Sequence, residues 1–305
     1  MKAIKLETHP YSLPLSTGAT RSGILIQLTD EVGRSGWGDI APLPGWSYET
    51  LEEVMEAVET LEALLQHQEA ILNGLFDSLP PSALFGVESA LLDLREPLAP
   101  FSVPSAALLM GTFAEIEKQA EARAKEGFSH AKLKIGNLTP KEARALIDTL
   151  KHTFRLRIDV NRSWDTKTAL RFFESFEPHT FDYVEEPLQD PGDLPHFPLP
   201  LALDESLPLI RDFATLPTLK AIICKPTLHG GLTACRRLQE LANTHHLSLI
   251  LSSAFESDIG LAAIASLAFR LKLPDPIGLG TYPFLTKPLR PDLFSFSQGT
   301  FCKKS

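Results

Sequence analysis

The stretch Ala131-Lys132-Leu133-Lys134-Ile135-Gly136 places two lysines, two residues apart, in an otherwise apolar run. If the run is a strand, Lys132 and Lys134 lie on the same face, about 6.6 Å apart along the chain, because side chains alternate with a period of two. Two ammonium groups on one face repel, and each then favours loss of the other's proton, which helps a lysine to act as a base. A Lys-x-Lys by itself is ordinarily a solvated edge strand, since lysine is mostly exposed.

Composition excludes several classes of protein. The 305 residues are 44% hydrophobic and 22% charged, an ordinary globular balance, and the net charge of -9 argues against general affinity for nucleic acid or anionic membrane. Three cysteines without close metal-binding spacing favour a reducing compartment. We find no signal-peptide pattern, and the longest apolar helical stretch, Ile259–Phe269, is too short to span a bilayer. We therefore expect a cytoplasmic protein, and nothing implies a protein partner.

The first part of the chain, residues 1–98, predicts a small α+β domain. A short β-like run covers 24–28, and the glycines and prolines of 33–45 predict turns and a shaped loop. Ser47 is the predicted N-cap of a helix, and a second helix is predicted over 82–95. The apolar face of the first helix repeats at three- and four-residue spacing and comprises Leu51, Val54, Val58, Leu61 and Leu65.

Strands and helices alternate in the second part, residues 99–285. Repeated βα units imply a parallel sheet, and seven or eight of them fit a compact (β/α) barrel. An open doubly wound sheet is the alternative, but no Gly-x-Gly-x-x-Gly follows the first strand, so nucleotide binding has no support. Residues 286–305 are predicted to pack back on the first domain. The predicted strands are 105–109, 130–135, 155–160, 181–185, 201–204, 221–225, 248–252 and 277–280, with helices over 114–125, 141–149, 167–176 and 232–244.

Carboxylates follow three consecutive predicted strands. Asp159, Glu185 and Asp204 each lie at the carboxyl end of a strand, about one βα unit apart. In a barrel these ends converge on one mouth, where three carboxylates would repel one another unless a cation neutralised them. Oxygen ligands favour Mg²⁺, with Mn²⁺ as the alternative. The adjacent Glu186 and Glu205 should point the other way and take supporting roles.

A third lysine, Lys225, ends the next predicted strand. A buried lysine alone is usually a structural ion-pair partner, just as a single acid at a strand end is usually a loop or N-cap residue. In a barrel, however, Lys225 would lie across the mouth from Lys132 and Lys134, with the three carboxylates between them. This register of charges makes the mouth the candidate active site.

The order of these motifs resembles the enolase superfamily, in its muconate-lactonizing subgroup. The match spans nearly the whole chain and comprises Lys-x-Lys at 132–134, Asp-x-Asn at 159–161, Glu-Glu-Pro at 185–187, Asp-Glu-Ser at 204–206 and Lys-Pro-Thr at 225–227. The segment 36–45 is similar to the loop by which the subgroup's capping domain closes over the mouth. The resemblance implies an α/β fold, a (β/α)7β modified TIM barrel with an N-terminal α+β capping domain.

The resemblance also implies a reaction on a small-molecule carboxylate. Residues 159–164, 225–227 and 252–257 look most like a dehydratase of the subgroup that converts a hydroxylated cyclohexadiene, carrying a carboxylate and a succinyl group, to an aromatic product on the route to menaquinone. Removal of the proton next to the carboxylate creates a dianionic enediolate. Mg²⁺ held by Asp159, Glu185 and Asp204 would stabilise that charge.

Roles for the three lysines follow from the same resemblance. Lys134 would take the proton and return it to the leaving hydroxyl, Lys132 would lie close to the substrate carboxylate, and Lys225 would stabilise the anionic ring as a cation. The capping loop would exclude water. Weaker candidates, because glycine and serine are also ordinary turn residues, are Asn161 beside the carboxylate site and Ser252, Ser253 and Gly280 as backbone donors to the succinyl end.

Three alternatives remain from the same residues. A base on each face also supports racemisation, so an N-acylamino acid racemase or dipeptide epimerase is the second reading. The epimerases tend to carry Asp-x-Asp near the last strand, whereas 277–282 has no acid, which argues against a cationic dipeptide but not an N-acyl substrate. Muconate cycloisomerisation fits less well. A catalytically silent barrel that acts as a binding or scaffold protein is the non-enzyme alternative. It is weakened because the six primary positions all carry the expected residues, namely Lys132, Lys134, Asp159, Glu185, Asp204 and Lys225.

Overall fold

The computed structural model describes residues 5–59, 76, 79–97 and 99–304. Its N-terminal part is an antiparallel sheet of three strands in the order β1-β2-β3, which packs against helix α2. The elements are β1 (Lys5–Pro14), β2 (Thr20–Thr29), β3 (Ser35–Ile40), α1 (Leu51–Glu59) and α2 (Pro81–Arg95). Val54 and Val58 of α1 are buried as predicted, whereas Leu61 and Leu65 lie outside the described residues.

Strand β3 corrects the prediction that 33–45 is a loop. Its glycines serve close packing rather than turns, because a Cβ added to Gly36 would lie 2.2 Å from the Ala90 carbonyl oxygen. A Cβ on Gly38 would lie 1.9 Å from the carbonyl oxygen of Gly86. The strand therefore lies directly on α2, and the irregular segment begins only after Ile40.

The N-cap of α1 is Thr50 rather than the predicted Ser47. The Thr50 hydroxyl accepts a hydrogen bond from the Glu53 N–H at 3.2 Å, and the Glu53 carboxylate accepts from the Thr50 N–H at 2.8 Å. This reciprocal pair is a capping box. The Ser47 hydroxyl instead accepts from the Leu43 N–H at 2.8 Å, which shapes the preceding loop.

Seven parallel strands form the barrel wall in chain order, β5 to β11, and confirm the predicted α/β barrel. The eighth predicted strand is reduced to two parallel bridges, Ile277 with Ser105 and Gly278 with Ser252. These bridges join the two edges of the sheet and close it. The strands after β3 are β4 (Phe101–Pro104), β5 (Ala107–Leu109), β6 (His130–Lys134), β7 (Arg155–Asp159), β8 (Tyr183–Glu185), β9 (Leu201–Leu203), β10 (Leu219–Cys224) and β11 (Ser248–Leu251).

Helices surround most of the wall. They are α3 (Phe113–Lys125), α4 (Pro140–Leu150), α5 (Thr166–Phe173), α6 (Pro226–His229), α7 (Gly231–Thr244) and α8 (Asp258–Leu271). The predicted helix over 167–176 thus ends three residues early, and the connections from β8 to β9 and from β9 to β10 contain short 3-10 helices. Within the described ranges, no helix combines the length and the apolar character needed to cross a bilayer.

Alternate residues of the barrel strands belong to different cores. Leu133, Ile158 and Val184 are fully buried in the large cluster that also contains the apolar faces of the outer helices. Tyr183 and Ile223 belong to a separate, small cluster inside the barrel. Because the side-chain period is two, Lys132, Lys134, Asp159 and Glu185 share the interior face with that small cluster.

The C-terminal segment adds two strands, β12 (Phe294–Ser297) and β13 (Thr300–Lys303). They pair antiparallel with β4 in the order β12-β13-β4. Lys303 Nζ also lies 3.7 Å from Asp93 Oδ1 of α2. The segment therefore contacts both parts of the chain, and the exact limits 1–98, 99–285 and 286–305 stay a prediction.

Candidate active site

The carboxyl ends of β6 to β10 bring the six primary predicted residues to one mouth. Lys134 pairs in register with Asp159, and Asp159 pairs with Glu185, across adjacent parallel strands. Asp204 directly follows β9 and Lys225 directly follows β10. Because β7, β8 and β9 lie between β6 and β10, the carboxylates stand between the β6 lysines and Lys225, as predicted from the barrel geometry.

The buried carboxylates form close ion pairs with two of the lysines. Lys132 Nζ lies 2.8 Å from Asp159 Oδ2 and 2.6 Å from Glu185 Oε1. Lys225 Nζ pairs with Asp204 Oδ2. The three carboxylates are 0–3% exposed, so these contacts operate largely out of water and are correspondingly strong.

For Lys132 these pairs overturn the expected lowering of its pKa. Burial opposes the ammonium form of Lys132, but Asp159 and Glu185 outweigh it and hold the Lys132 pKa well above its ordinary value. Burial likewise opposes charge on Lys225, and Asp204 raises its pKa. A carboxylate in direct contact outweighs a second ammonium farther away, so the mutual repulsion of the lysines does not set the protonation of Lys132.

Two of the three acids, Asp159 and Glu185, differ in the direction of their pKa shifts. Burial favours neutral Asp159, but Lys132 and Lys134 lower its pKa to about 2. Burial raises the pKa of Glu185 well above its ordinary value, because the neighbouring Asp159 and Asp204 charges oppose the attraction of Lys132. Glu185 Oε2 is buried and accepts no hydrogen bond from the part of the chain that the structure describes.

A divalent cation fits this donor set by its chemistry. Asp159, Glu185 and Asp204 supply only oxygen ligands, as Mg²⁺ prefers, and the unpartnered Glu185 Oε2 is an acceptor that a cation would satisfy. With the side chains as they stand, the described ranges contain no group of three His, Cys, Asp or Glu arranged to hold a metal. The ammonium groups of Lys132 and Lys225 instead contact these oxygens, so metal binding requires them to withdraw.

Lys134 is the lysine most open to the cavity. Its side chain is 30% exposed against 15% for Lys132. Lys134 Nζ donates to Asn161 Oδ1 at 2.8 Å and lies 3.3 Å from Asp159 Oδ2. Asn161 adopts a left-handed backbone, with φ of 47°, and donates its N–H to Asp159 Oδ1 at 3.0 Å. Asn161 therefore orders Lys134 and Asp159, and its contact with substrate stays a prediction.

Ser252, Ser253 and Gly280 all line the same cavity. The Ser252 and Ser253 N–H groups already donate to the carbonyls of Cys224 and Gly278, at 2.8 and 2.9 Å. The first bond extends the pairing of β10 with β11, and the second lies where the barrel closes. The Ser253 hydroxyl is also engaged, with the Gly278 carbonyl at 3.0 Å and the Thr281 hydroxyl at 2.6 Å. The expectation that Ser252, Ser253 and Gly280 hold the succinyl end therefore stays a prediction. A Cβ on Gly280 would lie 2.4 Å from the Leu108 nitrogen, so close packing explains this glycine.

The acids beside the proposed ligands support the loop that follows β9. Glu186 Oε1 accepts hydrogen bonds from the Asp204 N–H at 2.7 Å and the Ser206 N–H at 2.9 Å. Burial raises the pKa of Glu186 to about 7 although these donors favour the carboxylate. Glu205 Oε1 accepts from Asn161 Nδ2 at 2.9 Å.

Two cavity residues were missed in the sequence. Arg157 is 1% exposed, and its Nη2 donates no hydrogen bond within the described chain, while Nε and Nη1 bond to Asp182 and to the Pro276 carbonyl. It precedes Asp159 by two positions, so strand parity could have placed it on the interior face. Trp46 comes from the capping loop, where no periodicity marks it, and Lys225 Nζ lies 5.3 Å from its ring centroid.

The capping domain is anchored to the cavity wall through buried polar contacts. Asp39 Oδ2 accepts from the N–H and the hydroxyl of Ser257, both at 2.8 Å. Arg21 Nε donates to the Phe255 carbonyl at 3.1 Å. Phe255, which lines the cavity, has a positive φ of 60°, so two residues of the antiparallel sheet stabilise the strained turn beside Ser253.

Comparison with known families follows this division of the chain. Residues 115–301 match the family model described as Enolase C-terminal domain-like, and residues 8–94 match the model described as MenC, N-terminal domain. The o-succinylbenzoate synthase of Edwardsiella ictaluri is 33% identical over 295 residues, which cover 90% of this chain and 88% of that protein.

Solved structures share the fold over nearly the full length. An o-succinylbenzoate synthase from Thermosynechococcus elongatus, complexed with Mg in its active site, is 28% identical with a TM-score of 0.72, covering 94% of each chain. The L-Ala-D/L-Glu epimerase of Bacillus subtilis has a TM-score of 0.86 at 21% identity, covering 99% of this chain and 96% of its own, and shows the fold alone. From the family models and the sequence identity, this chain belongs to the o-succinylbenzoate synthase family of the enolase superfamily.

Proposed function

We propose that this chain is a hydro-lyase that dehydrates 2-succinyl-6-hydroxy-2,4-cyclohexadiene-1-carboxylate to o-succinylbenzoate in menaquinone biosynthesis. The observation that carries the proposal is the placement of Lys134 and Lys225 on opposite sides of three buried carboxylates at one barrel mouth. The described cysteines form no disulfide, which is consistent with a cytoplasmic enzyme.

Lys134 is the proposed base and acid. As a neutral amine it takes the proton from the ring carbon next to the carboxylate, and as an ammonium it returns that proton to the hydroxyl, which leaves as water. The C–H bond breaks and its electron pair becomes the π bond that completes the aromatic ring. The C–O bond breaks with its electron pair on the oxygen, which Lys134 protonates to water. A single lysine can do both steps only if hydrogen and hydroxyl leave from the same face, so the elimination is syn.

Asp159, Glu185 and Asp204 would hold the metal, Mg²⁺ or alternatively Mn²⁺. When bound, the cation would neutralise the negative charge that develops on the substrate carboxylate. Lys132, displaced from its carboxylate partners, would remain beside that substrate group as a second positive charge. These assignments are supported by the burial of the three acids and by the open acceptor on Glu185.

The remaining cavity residues would bind and shield the ring. Lys225 would stabilise the anionic ring from the opposite face, with Trp46 of the capping loop between it and solvent. The hydroxyls of Ser252 and Ser253, with the close approach that Gly280 allows, are proposed for the succinyl end. Arg157 offers an unpartnered N–H at the base of the cavity for a substrate oxygen.

The direct test is an assay of the purified chain with the cyclohexadiene substrate and Mg²⁺. We expect an aromatic product by ultraviolet absorbance, and loss of turnover when a chelator removes the metal. The matched control is the same preparation with Mg²⁺ restored. Absence of aromatic product both in the first assay with Mg²⁺ and after Mg²⁺ is restored would contradict the proposal.

Racemisation is the second candidate, because Lys134 and Lys225 place a potential base on each face of a bound substrate. An N-acylamino acid incubated in deuterated water with Mg²⁺ would exchange its α-proton and lose optical purity if both lysines act. Robust racemisation without aromatic product would replace the first proposal. Both activities in one preparation would mean that the same lysines and carboxylates catalyse two reactions.

A further inference from the structure

The side-chain amide of Asn161 bridges two charged groups of opposite hydrogen-bonding character. Lys134 Nζ donates to its oxygen Oδ1 at 2.8 Å. Its nitrogen Nδ2 donates to Glu205 Oε1 at 2.9 Å. A lysine ammonium can only donate and a carboxylate can only accept, so one amide orientation satisfies both neighbours.

The flipped amide would face each neighbour with the wrong group. Exchange of Oδ1 and Nδ2 would set an N–H against the Lys134 ammonium and an oxygen against the Glu205 carboxylate. While Lys134 is charged, both partners oppose the flip. Once Lys134 is the neutral amine that takes a proton, it can also accept a hydrogen bond, so it no longer selects the orientation. Glu205 alone then prevents Asn161 from donating to the lone pair that the reaction needs.

The surrounding loops hold both ends of this bridge. Glu186 accepts from the N–H groups of Asp204 and Ser206, the residues on either side of Glu205. The Asn161 N–H donates to Asp159, which fixes the backbone in its left-handed turn. Within the described chain Glu205 Oε2 is buried without a hydrogen-bond partner. The carboxylate therefore acts on the site through Oε1, which accepts from Asn161 Nδ2.

We propose that Glu205 is a positioning residue for Lys134, acting through the amide of Asn161, and keeps the lysine lone pair free for the substrate. The proposal rests on the proposed function, in which Lys134 moves the proton. It assigns no contact between Glu205 and the substrate.

The test is Glu205→Gln, which keeps the size of the side chain but can donate as well as accept. Both orientations of Asn161 then become satisfiable, and we expect kcat to fall about 10- to 100-fold with KM within about twofold of wild type. Glu205→Asp keeps an acceptor-only group and should recover part of kcat. Glu117→Gln, the same charge change at an exposed position of α3, is the matched control and should leave kcat unchanged.

Two measurements separate positioning from general damage. Thermal melting and Mg²⁺ affinity by calorimetry should be unchanged in Glu205→Gln, because Asp204 keeps its hydrogen bond to Glu186. An unchanged kcat, or a loss confined to KM or to Mg²⁺ affinity, would overturn the proposal. So would a Glu205→Asp variant no more active than Glu205→Gln.

A readout without turnover separates this proposal from the proposed function. If the wild type makes no aromatic product, the proposed function fails, and the Asn161 side-chain amide can still be followed by nitrogen-15 NMR, with Asn161→Asp identifying its signal. We expect its Nδ2 hydrogens to exchange slowly in the wild type and faster in Glu205→Gln. Equal exchange in the two proteins would overturn the role of Glu205.

Discussion

Two clusters of charge, each with a buried carboxylate at its centre, lie at opposite ends of the same barrel strands. The mouth cluster comprises Lys132, Lys134, Asp159, Glu185, Asp204 and Lys225, and the floor cluster comprises Arg155, Arg157, Asp182 and Lys220. In the floor cluster, Asp182 Oδ1 accepts from Arg155 Nε at 3.3 Å and Lys220 Nζ at 2.9 Å, and Oδ2 accepts from Arg157 Nε at 2.9 Å. Both of its oxygens are used, whereas Glu185 Oε2 in the mouth cluster is unpartnered.

The difference shows that a buried ion pair does not by itself mark a site. Burial opposes ionisation of Asp182, but hydrogen bonds from Lys220 and the charge of Arg157 lower its pKa far below the ordinary value. Burial raises the pKa of Glu185, where the adjacent acids prevent full compensation by Lys132. Asp182 of the floor cluster has both oxygens hydrogen-bonded and suits stability, while the mouth cluster retains unsatisfied acceptors that face a cavity, as binding requires.

The largest expected effect is the loss of catalysis in Lys134→Ala. Removal of the proposed base and acid should lower kcat by about 10²- to 10⁴-fold, since general acid–base catalysis contributes on that scale. Mg²⁺ affinity and thermal stability should change little, because Lys134 only flanks the carboxylates. Lys141→Ala, at an exposed position of α4, is the control. Retained turnover in Lys134→Ala would remove this lysine as the base.

The floor cluster should respond in stability rather than chemistry. Asp182→Asn leaves Arg157 buried without its anionic partner, and breaking a buried pair of this kind costs about 3–5 kcal/mol. The free energy of unfolding can be measured with denaturant, using Asp148→Asn for comparison, since Asp148 of α4 is partly exposed and pairs with Arg144 in contact with solvent. If Asp182→Asn were as stable as that control, the floor cluster would not contribute to the stability of the fold as proposed.

Glu186, beside the mouth cluster, should make the free energy of unfolding depend on pH. Its pKa of about 7 in the folded chain exceeds the ordinary carboxyl value, so its stabilising contribution is complete below about pH 4.5 and is lost as pH rises through about 7. This rise in the Glu186 pKa corresponds to about 3 kcal/mol of the free energy of unfolding. Unfolding measured between pH 4.5 and 8 with a chelator present should show this decline, and Glu186→Gln should flatten it. The same slope in both proteins would assign the decline to another group.

The smallest expected effect concerns the metal. Asp204→Asn removes one charge from the proposed ligands and should weaken Mg²⁺ binding by about 100-fold, or about 2.7 kcal/mol, at least the cost of losing an outer-shell partner. Calorimetric titration of Mg²⁺ into wild type and variant measures this change. Asp182→Asn, examined at a temperature where it is folded, should bind Mg²⁺ normally. Unchanged affinity in Asp204→Asn would mean that Asp204 is not a ligand.

Much of the fold was predictable because its signals are local. The alternation of strand-like and helical stretches placed most barrel strands and helices within a few residues. The helices predicted over 114–125 and 141–149 are found as α3 and α4, each one residue longer at its N-terminus. Strand β3 was missed because Gly36 and Gly38 look like turn residues. Their role depends on the backbone of α2, which lies far along the chain.

The candidate site was predictable to the same extent. Parity and one-unit spacing brought Lys134, Asp159 and Glu185 together, since those rules need only the strand period and the convergence of parallel strand ends. Arg157 obeys the same parity but carries no motif of its own. The hydrogen bond of the Ser253 N–H depends on how the last bridges close the barrel, which no local pattern encodes.

The sequence by itself determined the order of elements, the interior face of each strand and the set of acids and lysines at the mouth. The stretch around Lys132 and Lys134 thus predicted that both lysines line the same side of one site. Only the tertiary structure decided that Lys132 is held by carboxylates with a raised pKa, whereas Lys134 is bonded to Asn161 and open to the cavity. Parity is a property of one strand, but charge balance depends on distances between side chains from several strands.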